Sequence, residues 1–340
     1  MQKIIPIFFS FDNNYVIPAS VAFASLLTNT NDNIFYNMYV LHTDITAANQ
    51  DILQKQVATY GNGNLLFVNV SEYFKDQTFD QKQFAHISGG STFTIETLYR
   101  CLAVNIPEFK NIDKIIYSDV DICVTKDISA LFDINIEKSY LAACKTPEFL
   151  DFQIDHIPLQ YRQHYFAGGL WILNFKKIRE DNLDKKIYDI AKNPPFFMKY
   201  PDQDIMCLAC KDKVTYFSHD YISVPDRLSL LKKLNFCDKY YPNNELYDAA
   251  YNPKIIHYAG IKPWKQNCAG SELWFYWLSK TPFAKYKEEL TPKCKISYKL
   301  YLFGFIPIPF IKILENLHKI KINLFKIIPI LKIKKELKYE

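Results

Sequence analysis

Ile115-Ile116-Tyr117-Ser118-Asp119-Val120-Asp121-Ile122-Cys123-Val124 is an apolar run that ends in two carboxylates one residue apart and then turns apolar again. The run from Lys114 to Ser118 reads as a buried strand. In extended chain, residues two apart point to the same side, so Asp119 and Asp121 can face one ion just beyond the strand end. Two like charges closing a buried strand repel each other unless something positive stands between them. Oxygen-rich ligation of this kind suits Mg2+ or Mn2+ bridging phosphates. A solvated turn carrying two acids would look the same in isolation, so the weight of the pattern depends on its surroundings.

Upstream, the apolar runs Ile4–Ser10, Ile34–His42 and Leu65–Val70 read as strands, with helix-period stretches Ile17–Leu27 and Ala47–Tyr60 between them. Strand and helix in alternation imply parallel pairing through crossovers, hence an α/β fold whose mostly parallel central sheet is covered on both faces. Ligands bind such sheets beyond the carboxyl ends of the strands, where Asp119 and Asp121 stand. A helix over Thr94–Asn105, closed before Pro107, carries Arg100. Further on, Leu141–Cys144 and Gly169–Asn174 read as strands, Lys177–Lys192 as one helix, and Glu272–Ser279 as an aromatic helix. No repeat appears, and no Gly/Ser linker marks a boundary before about Lys293.

A chain of 340 residues with 49% hydrophobic and 23% charged residues can bury a large core and is no disordered segment. Its net charge of +5 is unevenly placed: from Tyr298 to Glu340 nine Lys face three Glu, which leaves the first 297 residues near −1. A nucleic-acid binder would spread its cations over a folded face among stacking aromatics, so nucleic acid is excluded as the expected partner. The eight cysteines are scattered, and Met1–Ser10 reads directly as the first strand, so a reducing cytoplasm is the expected setting. Cys207 and Cys210 form a C-x-x-C, but no second pair completes a tetrahedral site, and both are expected as buried, inert thiols.

Three other segments carry chemistry-bearing residues. Ile255-Ile256-His257-Tyr258-Ala259-Gly260-Ile261-Lys262-Pro263-Trp264 puts an imidazole at the end of an apolar run, followed by a Gly, a cation and a rigid Pro-Trp. A third metal ligand and a phosphate-binding ammonium would be arranged this way, as would a core His followed by a surface loop. Pro201-Asp202-Gln203-Asp204 opens a helix, where acids also serve as caps. In Tyr165-Phe166-Ala167-Gly168-Gly169-Leu170, paired glycines before a strand permit close approach to a ligand or to another strand.

Taken in order, these segments resemble glycosyltransferase family 8, retaining enzymes that include bacterial lipopolysaccharide galactosyl- and glucosyltransferases and glycogenin. The resemblance covers about Ile4 to Trp277. It rests on Phe9-Ser10-Phe11-Asp12-Asn13-Asn14-Tyr15, Ser118-Asp119-Val120-Asp121, Asp202-Gln203-Asp204 and His257-x-x-Gly260-x-Lys262-Pro263-Trp264. It implies one GT-A type nucleotide-sugar-binding domain over residues 1–293. It further implies a retaining hexosyltransferase that moves galactose or glucose from a UDP-sugar donor, with Mn2+ or Mg2+ as cofactor. The acceptor would be a saccharide or glycolipid, a lipopolysaccharide or lipooligosaccharide core. Under this resemblance Phe11, Asp12, Asn14 and Tyr15 hold the uridine, with Tyr15 offering its ring to the base. Asp119, Asp121 and His257 ligate the ion, Val120 and Gly168 border the donor, and Gly260 and Lys262 contact phosphate oxygens. Arg100 and Asp202 bind donor-sugar hydroxyls, and Gln203 lies near the anomeric carbon. Because neutral Gln203 is a poor nucleophile, front-face substitution through an oxocarbenium-like state is the expected route.

Two departures stand out: Ala167 occupies a position where the family often has Asn, and the segment from His257 to Lys262 is one residue shorter than in some relatives. Two other readings compete with the transferase. A non-catalytic sugar-nucleotide or glycan-binding protein would keep the fold, and Ala167 is its one hint. A nucleotidyltransferase calls for a Gly- and Lys/Arg-rich loop after the first strand, which Phe11–Tyr15 lacks.

The C-terminal residues 294–340 form a basic, amphipathic tail. Its longest uncharged apolar stretch, Leu300–Ile311, has twelve residues and two prolines, too short for a bilayer span of about 20 residues. Alternating apolar and Lys residues from Ile311 to Lys338 read as helices lying in an anionic membrane surface. The expected location is cytoplasmic, peripherally held at the inner face of the cytoplasmic membrane. The alternative is a tail folded back on the domain with its lysines in water.

Overall fold

The structure, a computed structural model, describes residues 2–73, 96–146, 154–224, 249, 252–290, 294–302, 306–308 and 331–339. The strands are β1 Lys3–Ser10, β2 Ile34–His42, β3 Gly63–Asn69, β4 Lys114–Ser118, β5 Ile122–Val124, β6 Leu141–Lys145, β7 Phe166–Asn174, β8 Val214–Phe217, β9 Ile255–His257, β10 Cys294–Leu302, β11 Ile306–Ile308 and β12 Leu331–Tyr339. The principal helices are α1 Val16–Thr28, α2 Ala47–Ala58, α3 Glu96–Leu102, α4 Phe175–Glu180, α5 Leu183–Lys192, α6 Pro201–Cys210 and α7 Ser271–Leu278.

Seven strands form the central sheet in the order β3-β2-β1-β4-β7-β6-β8. The pairs β1–β2, β2–β3, β1–β4 and β6–β8 are parallel, whereas β7 runs antiparallel to both its neighbours. β1 lies inside the sheet, so both its faces are apolar. Ile5, Ile7 and Phe9 point into the core shared with α1 and α2. Phe8 points to the other side, against the rings of Phe109, Tyr117 and Phe175. Pro6 has no N–H to give, and it sits just before the stretch where β1 is paired on both sides, which begins at Ile7.

Several elements differ from the sequence reading. The stretch from Lys177 to Lys192 is not one helix: α4 and α5 meet at Asn182, whose φ of 51° is left-handed. Asn is among the few residues that adopt this conformation readily, and the break lets two short helices pack where one straight rod could not. The helix expected from Thr94 is described from Glu96 and tightens into a 3-10 turn at Ala103–Asn105, while Thr94 lies outside the described residues. β7 begins at Phe166, so Gly168 and Gly169 lie within the strand rather than before it. Cys207 and Cys210 are buried on α6, and burial pushes both thiols up.

The tail differs as well. Residues 331–339 are a strand, and β12 pairs antiparallel with β10 in a separate sheet ordered β11-β10-β12. The pattern Leu331-Lys332-Ile333-Lys334 repeats every two residues, which is the period of a strand and not of a helix. The register pairs Leu302 with Leu331, Leu300 with Ile333, Tyr298 with Lys335 and Ile296 with Leu337, in alternation with pairs that include Lys299–Lys334 and Lys295–Lys338. Residues 309–330, which include most of the expected surface helices, lie outside the described residues. No helix among the described residues is long and apolar enough to cross a membrane.

Candidate active site

The chain leaves β4 at Ser118, passes Asp119 and Asp121, and enters β5, which pairs with β9 so that Ile122 faces His257. This pairing brings an imidazole from far along the sequence to the two carboxylates. Nε2 of His257 lies 3.4 Å from Oδ2 of Asp119 and 3.2 Å from Oδ1 of Asp121. One ligand atom from each of the three lies within 4.8 Å of the others. The backbone fixes the arrangement: Asp119 N–H donates to the Gly169 carbonyl at 2.9 Å, Tyr258 N–H to that of Asp121 at 2.9 Å, and His257 N–H to that of Ser223 at 2.7 Å. Asp121 and His257 are buried. Two carboxylate oxygens and one imidazole nitrogen, converging in a partly desolvated pocket, are a donor set that fits Mn2+ or Mg2+.

Cations hold these acids ionised. Lys262 pairs with Asp121 and also donates to the Tyr258 carbonyl at 2.9 Å. Gly260, at φ +97°, turns the chain between His257 and Lys262, a conformation few other residues adopt. On the other side Arg100 reaches from α3. Its Nη1 lies 2.7 Å from Oδ1 of Asp119 and 3.2 Å from Oδ2 of Asp202. Its guanidinium lies 4.6 Å from the centre of the Tyr117 ring, and the Tyr117 hydroxyl donates to Asp119. Tyr117 went unassigned in the sequence, yet it is two residues before Asp119 and therefore on the same side of an extended chain.

The protonation balance follows from these contacts. Burial raises the Asp121 carboxyl, but His257 and Lys262 outweigh it and hold Asp121 well below the usual carboxylate range. Burial also raises Asp119, where Arg100 and then His257 bring the net shift below the ordinary value. Burial lowers His257, but Asp121 and Asp119 lift it to about 9. Asp202 is the exception: burial dominates, Arg100 offsets it only in part, and the carboxyl stands at about 6.

Asp202 and Gln203 lie in the first turn of α6, which Pro201 opens. The capping role falls to Asp204, whose Oδ2 accepts from Tyr200 N–H at 3.0 Å. Asp204 is fully buried, accepts from the Tyr165 hydroxyl and meets Nε2 of His156 at 2.9 Å. His156 and Tyr165 thus anchor the turn that carries Gln203. Their sequence context gave no sign of this, since the partners are 48 and 39 residues away. Gly168 faces the same turn: a Cβ there would lie 3.1 Å from Oε1 of Gln203.

At the end of β1, Asp12 caps a 3-10 turn, accepting at Oδ1 from Asn14 N–H at 3.0 Å and at Oδ2 from the Asn14 amide at 3.2 Å. Asn13, unassigned in the sequence, braces this loop: its backbone N–H donates to Asp44 at 3.0 Å, and its side-chain Oδ1 accepts from the Asn49 side-chain amide at 2.8 Å. Tyr15 packs edge-on against Trp264, ring centres 5.9 Å apart, and Trp264 packs on Trp274 at 5.1 Å. Burial raises the Tyr15 hydroxyl, with Lys262 acting against it. The side chains of Phe11 and Val120 are buried in the core. Arg100, Asp119, Asp121, Asp202, His257 and Lys262 form one connected set.

Comparison with known proteins bears on what this geometry is for. A chain of Haemophilus influenzae (strain Rd), named for glycosyl transfer, is 29% identical over 274 residues, covering 77% of this chain and 74% of its own length. Lipopolysaccharide 1,2-glucosyltransferase of Escherichia coli is 23% identical over 324 residues, 91% of this chain and 89% of that one. Among solved structures, galactosyltransferase LgtC in complex with donor and acceptor sugar analogs superposes with a TM-score of 0.62 at 22% identity. That match covers 82% of this chain and 96% of LgtC. The bifunctional glycosyltransferase WbbM superposes at 0.67 with 21% identity, covering 86% of this chain, which spans 52% of WbbM. At these identities the structural likenesses speak for the fold alone, a GT-A type sheet flanked by helices. The model of Glycosyl transferase family 8 matches residues 6–268, a span that contains Asp12, Asp119, Asp121, Gln203, His257 and Lys262. With most of its length matched by that model, the chain belongs to glycosyl transferase family 8.

Proposed function

We propose that this glycosyltransferase moves a hexose, galactose or glucose, from a UDP-sugar to a saccharide or glycolipid acceptor with retention of configuration. The observation that carries the proposal is the convergence of Asp119, Asp121 and His257 within 4.8 Å, next to the Arg100–Asp202 pair. A divalent ion held by those three residues would neutralise the diphosphate. Lys262 adds a second positive charge for the leaving group. Asp12, Asn14 and Tyr15 seat the uridine, and Arg100 orients Asp202 toward the donor sugar. Gln203, a neutral amide, lies beside the anomeric carbon without attacking it. The glycosyl–phosphate C–O bond breaks, the acceptor oxygen bonds to the same face, and the acceptor proton passes to a phosphate oxygen. A lipopolysaccharide-type acceptor is supported by the name of the Escherichia coli relative.

A panel of UDP-sugars assayed for UDP release with and without Mn2+ tests this reading. Slow, Mn2+-dependent hydrolysis of one donor, abolished in Asp121→Ala, is the expected result. Binding without turnover would favour a sugar-nucleotide-binding homologue, the reading that Ala167 hints at. A covalent sugar on Asp202 would sink the front-face route. For the tail, we infer contact with an anionic membrane surface, at the inner face of the cytoplasmic membrane, from its lysine excess and its wealth of Leu, Ile and Phe. Full-length chain should co-sediment with anionic liposomes more strongly than a chain ending at Lys293, and equal binding would remove the idea.

A further inference from the structure

Gly168 and Gly169 are glycines for reasons of space and not of backbone shape. Positive φ among the described glycines is confined to Gly61, Gly260 and Gly270. A Cβ on Gly169 would lie 2.4 Å from Cε1 of His257, 2.8 Å from Nδ1 and 3.1 Å from Nε2. Carbon atoms in contact settle at roughly 3.5–4.0 Å, so even an Ala at this position requires the imidazole to move by about an ångström. The ring has little freedom to do so. Asp119 and Asp121 hold one edge, β5 pairs with its backbone, and the side chain is 10% exposed. The same glycine accepts the Asp119 N–H at its carbonyl. Gly169 therefore touches one of the three converging residues through its backbone and another through its bare α-carbon.

We propose that Gly169 is a positioning residue of the metal site: its α-carbon is the seat of the His257 imidazole and fixes the ring within reach of both carboxylates. Successive residues of a strand face opposite ways, and Gly168 accordingly looks toward Gln203 and Asp202. Its closest hypothetical contact is 3.1 Å, to the end of a long side chain that can yield. The two neighbouring glycines make a matched pair of tests.

The proposal rests on the metal reading given above, so its experiment has two arms. In the first, Mn2+ affinity is measured by calorimetry for the wild type, Gly169→Ala and Gly168→Ala. Gly169→Ala should bind about tenfold or more weaker, in the range seen when a residue that orients a metal ligand is lost, and Gly168→Ala should stay within about twofold. In the second, thermal unfolding of the metal-free proteins is followed for Gly169→Ala alone and combined with His257→Ala. The substitution should lower Tm in the wild-type background and cost nothing once the ring is gone. Wild-type Mn2+ affinity in Gly169→Ala, or an equal fall in Tm in both backgrounds, would overturn the proposal. If the wild type itself binds no Mn2+, the proposed function fails, and the unfolding cycle still decides whether Gly169 seats the ring.

Discussion

Arg100 serves two carboxylates that titrate differently. Asp119 is held ionised, whereas Asp202, buried more completely, stands at about 6. A carboxyl raised above its unfolded value binds its proton more tightly in the native state. The contribution of Asp202 to folding stability is therefore greatest below about pH 4, falls as pH rises through 6, and is level above it. Asp202→Asn should flatten this fall, which is on the order of 3 kcal/mol in full for a shift from 3.8 to about 6, with about 2 kcal/mol of it between pH 4.5 and 7. Urea melts of metal-free protein at pH 4.5 and 7 would measure it. Replacing Arg100 by Lys keeps a charge but loses the Nε–H bond to the Thr97 carbonyl and the guanidinium over the Tyr117 ring that hold Nη1 between the two acids. Donor turnover should fall by at least about tenfold, an effect of one charge-assisted hydrogen bond or more, and unchanged UDP release would contradict the bridging role.

At the scale of elements, α6 is held at its first turn by Asp204, which accepts from Tyr200 N–H, the Tyr165 hydroxyl and His156. Asp204→Ala strands these buried donors, and a loss of about 2–4 kcal/mol is expected in chemical denaturation. Because the same turn presents Gln203, turnover should fall in the fraction that remains folded. The break between α4 and α5 makes a smaller prediction. Asn182 tolerates its left-handed backbone, so Asn182→Ala should cost about 1 kcal/mol, read as a lowered Tm with no change in donor hydrolysis.

For the molecule as a whole, the site joins segments that fold onto one another only in the native state. Ligand atoms arrive from the end of β4, its following turn and the end of β9, so an ion bound there couples all three. Mn2+ at a hundred times its Kd should stabilise the wild type by about 2.7 kcal/mol. The rise in Tm should vanish in Asp121→Ala, and an equal rise in that variant would place the ion elsewhere.

The strands β2 and β4 and the helix α2 were legible because burial leaves a period in the sequence, two for a half-covered strand and an unbroken apolar run for an inner one. Asp119 and Asp121 declared themselves by closing such a run with like charges. The tail's alternation of Lys with Leu and Ile carries the same period of two along Leu331–Lys338, the period of the strand found there and not of a surface helix. What local sequence could not specify was contact across the fold. His257 reaches Asp121 only because β9 pairs with β5, Arg100 bridges Asp119 to Asp202 only because α3 packs beside α6, and Asp204 finds Tyr165 and His156 only because α6 packs against β7 and the segment that leads into it. Phe11 and Val120 lie beside motif residues in sequence yet turn their side chains into the core. Sequence alone determined the alternation that makes an α/β sheet and the acids at one strand end. Tertiary structure alone decided which distant side chains meet them, because such meetings depend on strand pairing and helix packing that leave no local period.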